Sequence, residues 1–364
     1  AAPLTPSISR PSSSSDASST DKISGKPSSG TDNDMASESC NASEDDQRDL
    51  MSSKTIHPDD PGLWLYHVET TTSTMDAAKS IVAEKKFTDG DHLDIPTSFL
   101  ISASSQSNGR GTTQRKWKSS QRGNALFTIG IPQSSWMNDL KSKNDGSVVP
   151  LTLLPLKVGS LVAFHIQRAL EECAAKSGET QHVMPRATVK WPNDVLLHSS
   201  PSNTHEKIAG ILIESAEDWF LIGIGINVGY APSIPTEGAD YGRRASCLSQ
   251  YCNAPTSEGA VDTDGSVTEE EHWIKVSKQL ATDIAYDLHS WLHPVTSPPP
   301  NNLHSGESIL NQWKSYVDWN MELTLRDTPK RERVTLKDVL DDGRVVVQEV
   351  ETGLTRTLVS DYFF

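Results

Sequence analysis

The chain has 364 residues, with 48 Asp and Glu against 33 Lys and Arg, a formal charge of −15, and only four Cys. Residues 1–60 carry eleven acids, five bases, 16 Ser and no Phe, Tyr or Trp, and residues 251–272 add six acids with no Lys or Arg. Twelve of the fifteen negative charges therefore fall in two segments with little to bury, the rest is near neutral, and no general affinity for nucleic acid is expected, although a local basic patch stays open.

Residues 1–60 read as a disordered, Ser-rich acidic leader, since they cannot bury enough apolar surface to offset the entropy of ordering. The chain opens on Ala-Ala-Pro rather than Met, as a processed or truncated start would. Residues 63–68 (LWLYHV) predict a strand, and Ser73 or Thr74 starts a helix over 75–86, where Ala77, Ala78, Ile81 and Val82 recur at helical spacing. A short strand at 99–103, a 19-residue polar loop at 104–122 and a second strand at 125–131 follow; a loop of that length inside a compact domain is usually functional. Helical periodicity spans 153–175. Its most apolar run, 151–166, is interrupted by Pro155 and Lys157 and falls short of a membrane span. Strands are then expected near Val189, at 195–197, 208–213 and 219–228, as neighbours in one sheet. Residues 231–268 read as an inserted loop, 272–292 and 308–319 as helices, and 322–359 as three or four short strands with Asp341-Asp-Gly343 at a hairpin. This pattern predicts a catalytic domain over 61–318 and a small β domain over 319–364.

Four segments carry the chemistry. G-R-G-T-T-Q-R-K-W at 109–117 sets Gly109 and Gly111 around Arg110, then Arg115 and Trp117. Glycines let backbone approach an anion, guanidinium groups fork onto carboxylate or phosphate, and an indole can cover a ligand. By itself such a loop is as often merely solvated. K-W-P-N-D at 190–194 must turn at Pro192 and present Asn193 and Asp194 at a sheet rim. K-I-A-G-I-L-I-E at 207–214 opens a strand on Lys207, with Gly210 marking a close approach. G-I-G-I-N at 223–227 lacks the third glycine of a dinucleotide fingerprint, and no P-loop run occurs. His289 and His293, four apart on a helix, lack a metal motif and read as structural. No nucleophile has a recognisable base. The sparse cysteines have no metal-like spacing and suit a reducing compartment.

In this order the segments, with Ser73-Thr74 before them, resemble the biotin–protein ligases, or holocarboxylase synthetases, over about 64–229 and more loosely to the C-terminus. The resemblance implies an α+β fold: a mixed-sheet catalytic domain of the biotin/lipoate-ligase type with a small C-terminal SH3-like β-barrel. It implies that ATP activates biotin to biotinyl-5'-adenylate with Mg²⁺, and that biotin passes to a lysine on the biotin carboxyl-carrier domain of acetyl-CoA or related carboxylases. Ser73, Thr74, Gln106, Gly109, Gly111, Trp117 and Gly210 would hold biotin. Lys190, Asn193, Asp194, Gly223, Gly225 and Asn227 would line the adenylate, and Lys207, Arg110 and Arg115 would meet carboxylate and phosphate charge. Metal ligands stay unassigned. The winged-helix DNA-binding domain of some bacterial members has no counterpart in residues 1–60, so neither nucleic acid nor membrane is an expected partner, and a homodimer is left open. The cytoplasm is the expected compartment, with plastid or mitochondrion as the alternative, although the leader's acids argue against an intact transit peptide.

The sequence departs from the family pattern at Thr112, where many members have a further Arg, and at Gln114, where many have Gly. A lipoate ligase or octanoyltransferase shares the related fold, but K-W-P-N-D and the Arg-bearing loop speak against it. A non-catalytic biotin sensor is favoured only by Thr112.

Overall fold

The computed structural model describes residues 54–84, 97–112, 115–119, 121–139, 148–177, 184–200, 202–235, 243–252, 268–294, 305–325 and 332–359. Most of the expected leader, much of the 231–268 insertion, Gln114 and Pro298–Pro300 lie outside them.

Eight strands form one mixed sheet: β1 (Thr55–His57), β2 (Asp60–Thr71), β3 (Ser98–Gln106), β4 (Ala125–Pro132), β5 (Arg186–Lys190), β6 (Asp194–Ser199), β7 (Thr204–Ala216) and β8 (Trp219–Ile226). Their order is β1-β2-β3-β4-β8-β7-β6-β5. Only the pair β2 and β3 is parallel, with α1 (Thr74–Glu84) in the connection between them. The remaining pairs are antiparallel, so β5 to β8 form the run of neighbours expected from sequence.

Alternation along the strands sorts side chains to two faces. Phe127, Ile129 and Ile131 of β4 and Phe220, Ile222, Ile224 and Ile226 of β8 face one large core, covered by α2 (Leu154–Ser177), α3 (Glu269–Leu292) and α4 (Gly306–Ser315). Met75, Ala78, Ile81 and Val82 of α1 pack on the opposite face against Trp64, Tyr66, Phe99, Ile101, Trp219 and Leu221. That second face has room left beside α1, and the motif residues occupy it.

Helix starts are set by local chemistry. Ser73 caps α1, its Oγ accepting from Met75 N at 3.3 Å. Thr268 and Glu271 form a reciprocal capping box at α3, and Glu269, Glu270 and Glu271 suit the positive end of its dipole. The C-terminal strands β9 (Glu322–Thr324), β10 (Arg333–Val339), β11 (Val345–Glu349) and β12 (Thr355–Leu358) make the expected small antiparallel sheet, in the order β12-β11-β10-β9. Gly343 at the hairpin has φ +80°, and a Cβ there would sit 2.9 Å from the Thr152 carbonyl oxygen. Val334, Leu336, Val339, Val345 and Val347 join the main core.

Three expectations need correction. Residues 54–60, read as leader, belong to the fold: β1 pairs with β2, and Asp60 is buried against His289 Nε2 at 3.0 Å. Their polarity hid them, because a short edge strand needs little apolar content. Within the 231–268 insertion, residues 243–252 are built into the domain. Lys207 N donates to the Arg244 carbonyl, Ser246 N donates to the Lys207 carbonyl, and Leu248 and Cys252 are buried in the core. Finally, Cys252 is joined by a disulfide to Cys173 of α2, Cα atoms 5.2 Å apart across 79 residues, and Cys247 is a buried free thiol. Spacing along the chain could not show this pairing, and the reading of a reducing compartment did not anticipate it.

Candidate active site

The site grows from an irregularity in β7. Leu196 pairs with Lys207 and the preceding Val195 pairs with Ala209, so Ile208 is an extra residue. Strict alternation would put Lys207 and Gly210 on opposite faces. The bulge places both on the α1 face, where a Cβ on Gly210 would lie 3.1 Å from Lys207 Nζ. Lys207 thus sits inside β7, at its fourth residue, rather than opening the strand as the sequence suggested.

Asp194 organises the cations. Its Oδ1 is 2.6 Å from Lys207 Nζ and its Oδ2 is 3.0 Å from Lys190 Nζ. Burial alone would push its carboxyl up, but Lys190 and Lys207 outweigh burial and hold it well below the usual carboxylate range. Residues 191–193 make the expected turn, with a cis Trp191–Pro192 peptide. Asn193 Nδ2 donates to the Ile211 carbonyl and Asn193 O accepts from Ile211 N, locking the turn to β7.

Residues 109–117 fold back on themselves. Trp117 N donates to the Gly109 carbonyl and Gly111 N to the Arg115 carbonyl, and Arg110 bridges Lys116. This lays the Trp117 indole on the sheet over Gly225 and Gly210. A Cβ on Gly225 would lie 2.4 Å from Trp117 Cε2, and one on Gly210 2.9 Å from Cζ3. Lys207 Nζ lies 5.5 Å from the centre of the indole ring. Two glycines thus give a flat floor, an indole a roof and an ammonium an edge.

On the α1 side, Thr74 N donates to Gln106 Oε1 at 3.4 Å, and Thr74 Oγ1 accepts from Thr128 Oγ1. Gly109 lies against Gln106, where a Cβ would be 2.5 Å from Nε2. Arg110 Nη2 is 3.0 Å from Asp76 Oδ1 and 3.4 Å from Glu214 Oε2, while Lys79 Nζ is 2.7 Å from Glu214 Oε2. Asn227 Nδ2 donates to the Ser246 carbonyl at 3.0 Å, tying the inserted segment to the end of β8.

The expected residues therefore form two adjoining groups. Lys190, Asn193, Asp194, Lys207, Gly210, Gly225 and Trp117 make one; Ser73, Thr74, Gln106, Gly109 and Arg110 make the other. Gly223 instead lies beneath Met75, whose Sδ would be 2.7 Å from a Cβ there, so it serves the packing of α1. Arg115 is exposed. Sequence reasoning gave no role to Asp76, Lys79, Glu214 or Ser246. Glu214 ends a quoted motif, but the carboxylates that hold Arg110 come from separate elements and have no common spacing.

Among the described residues, four buried polar atoms of the motif residues have no hydrogen-bond partner: Arg110 Nε and Nη2, Trp117 Nε1 and Asn227 Oδ1. For Arg110 Nη2 the carboxylates lie at ion-pair distance without hydrogen-bond geometry. Buried groups left this way are costly, and a polar ligand that reached them would relieve that cost.

Residues 71–230 match the Biotin/lipoate A/B protein ligase family. The chain is 28% identical over 164 residues to the biotin–[acetyl-CoA-carboxylase] ligase of Mycobacterium tuberculosis, an alignment covering 42% of this chain and 50% of that protein. It is 32% identical over 161 residues to the bifunctional ligase/repressor BirA of Bacillus subtilis, covering 43% of this chain and 39% of that protein. The chain thus spans half or less of these curated relatives. Among solved structures, the Leishmania major biotin protein ligase in complex with biotin superposes with a TM-score of 0.46 at 23% identity, over 83% of this chain and 100% of that one. The Aquifex aeolicus biotin protein ligase in complex with biotin and ATP gives 0.46 at 20% identity, over 81% and 99%. Residues 71–230, which carry all the quoted motifs, thus match the Biotin/lipoate A/B protein ligase family and are similar to biotin protein ligases.

Proposed function

We propose that this protein is a biotin–protein ligase that uses ATP to activate biotin and then transfers it to a lysine of a biotin carboxyl-carrier domain. The observation that carries this reading is the Gly210 and Gly225 floor beneath Trp117, with Lys207 and Lys190 held by Asp194 at its edge. A fused, mostly apolar ring fits between a glycine floor and an indole, and a urea fits neutral donors and acceptors such as Ser73, Thr74 and Gln106. The ring must displace or slide under Trp117, which fills that space here.

In the first step a biotin carboxylate oxygen attacks the α-phosphorus of ATP, the P–O bond to pyrophosphate breaks, and biotinyl-adenylate forms. Lys207 stands where charge grows on the phosphoryl oxygens, and Asp194 fixes its ammonium from behind. In the second step the neutral ε-amine of the acceptor lysine attacks the acyl carbon, AMP leaves with the bonding pair, and the amine loses its proton. Neither step needs an enzyme nucleophile, so positioning and electrostatics carry the catalysis. Arg110, released from Asp76 and Glu214, is the guanidinium available to the biotin carboxylate, and Arg115 is exposed at the loop for phosphate.

Mg²⁺ does not fit a protein-held position in this arrangement. Both oxygens of Asp194 face lysines, and Asp76 and Glu214 are engaged by Arg110 and Lys79. Phosphate charge is met instead by Lys207 and Lys190.

The division into a catalytic domain over 61–318 and a small domain over 319–364 belongs to the same proposal. Among the described residues no helix is long and apolar enough to cross a membrane.

The test is ATP–pyrophosphate exchange driven by biotin, lipoate or octanoate. Exchange with biotin at least a hundredfold above the other two is expected. Preference for lipoate or octanoate would make the chain a different acyl ligase, and tight biotin binding without exchange would make it a sensor, as Thr112 would suggest.

A further inference from the structure

Away from the glycine floor, three potential metal ligands converge where β6, β7 and the segment after α4 meet. His198 of β6 and His205 of β7 are direct cross-strand partners, and their imidazoles stack with centroids 4.3 Å apart and planes 1° from parallel. Asp318, between α4 and β9, turns its Oδ2 to both: 2.7 Å from His205 Nε2 and 3.7 Å from His198 Nδ1. The three ligand atoms all lie within 4.8 Å of one another. None of the three side chains is more than 21% exposed.

Hydrogen bonding shows which atoms are available. His198 Nε2 is 3.2 Å from Asn203 Oδ1, which can only accept, so that nitrogen carries the proton. In the neutral ring Nδ1 is then a lone pair facing a carboxylate oxygen, and a cation between the two would satisfy both. Asp318 Oδ1 accepts from Asn320 N at 3.0 Å, fixing the carboxylate with Oδ2 toward the imidazoles. Orienting partners of this kind commonly support metal ligands. Arg243 Nη1 donates to the His205 carbonyl oxygen at 3.1 Å, so a guanidinium also borders the cluster.

We infer that His198, His205 and Asp318 bind a divalent transition-metal ion of the zinc class, with water completing the coordination. Two imidazoles and one carboxylate suit such an ion, whereas Mg²⁺ and Ca²⁺ prefer all-oxygen sets. Bonds of about 2.0–2.1 Å in a tetrahedron separate ligand atoms by about 3.3 Å, and the 2.7 and 3.7 Å separations bracket that value. Binding needs the Nε2 proton that His205 shares with Asp318 to pass to its Nδ1 or to solvent, with a shift of the Asp318 carboxylate off His205 and an opening of the stacked rings. The ion would pin the connection to the C-terminal sheet onto β7 two residues before Lys207, and it needs no part in the reaction proposed above.

Titrating the full chain with Co²⁺, then displacing it with Zn²⁺, tests this. The expected result is a visible d–d band of tetrahedral type saturating at one Co²⁺ per chain and abolished by stoichiometric Zn²⁺. The band should be lost in His205→Gln and in Asp318→Asn, and kept in the control His272→Gln, a half-buried histidine in the first turn of α3. Metal-free far-UV circular dichroism and melting confirm that the variants fold; should His205→Gln fail, His198→Ala takes its place. Absence of one-to-one binding up to millimolar metal overturns the inference, as does binding of equal strength in the site variants.

Discussion

At the scale of single residues, the site depends on side chains that are absent as much as on those present. Gly225 and Gly210 carry the indole of Trp117, and any Cβ on Gly225 drives into the ring. Gly225→Ala should therefore cost about 1–3 kcal/mol of stability through overpacking, yet weaken biotin binding at least tenfold, because floor and roof can no longer close on a flat ring. Calorimetric titration beside a thermal melt separates the two effects. Unchanged affinity would mean that the ligand does not lie on this floor. Much of the site was legible as residue types: Lys190 and Asp194 of K-W-P-N-D, the lysine of 207–214 and the loop tryptophan reach one face, while Trp191 turns to the main core. What could not be read was their pairing. Arg110 meets Asp76 from α1 and Glu214 from β7, and only the folded sheet brings those carboxylates together.

At the scale of elements, periodicity located almost every strand and helix, because each buries one well-marked face. It missed β1, which is too short and polar to show a period, and the bulge at Ile208, which changes facing without changing composition. The packed stretch 243–252 was hidden by its Gly-, Pro- and acid-rich surroundings. One helix carries an avoidable cost. Lys157 of α2 is buried, with Nζ 3.1 Å from Gln312 Oε1 and 4.6 Å from the centre of the Trp291 ring. Burial pushes its ammonium down to about 8, only partly opposed by Asp287. The unfolded chain keeps an ordinary lysine and binds more protons between about pH 8 and 10.4, so wild-type stability should rise through that window and carry its full penalty below it. Lys157→Met should stabilise the protein by about 1–3 kcal/mol at pH 7, and the gain should shrink as pH climbs past 8. Melting curves at pH 7 and pH 9.5 check this; a gain that does not change with pH would assign it to packing.

For the whole molecule, a single sheet separates structural from chemical duties. One face carries the large core with α2, α3, α4 and the C-terminal valines, and the other carries α1 and the motif residues. Residues 1–53 contain no aromatic residue and contribute no motif, so a chain starting at Lys54 should keep ligase activity within about twofold while a cut that removes β1 should not. Specific activity of the two truncations decides, and a large loss in the longer one would give the leader a part in acceptor recognition. In the proposed reaction the ammonium of Lys207, held by Asp194, stabilises charge developing at the α-phosphate of ATP. Biotin-dependent pyrophosphate exchange in Lys207→Ala measures it most directly. A fall of about 10²-fold or more in kcat is expected in a variant that still folds cooperatively, melting somewhat lower because Asp194 loses one of its two cations, whereas exchange near the wild-type rate would overturn the role given to Lys207.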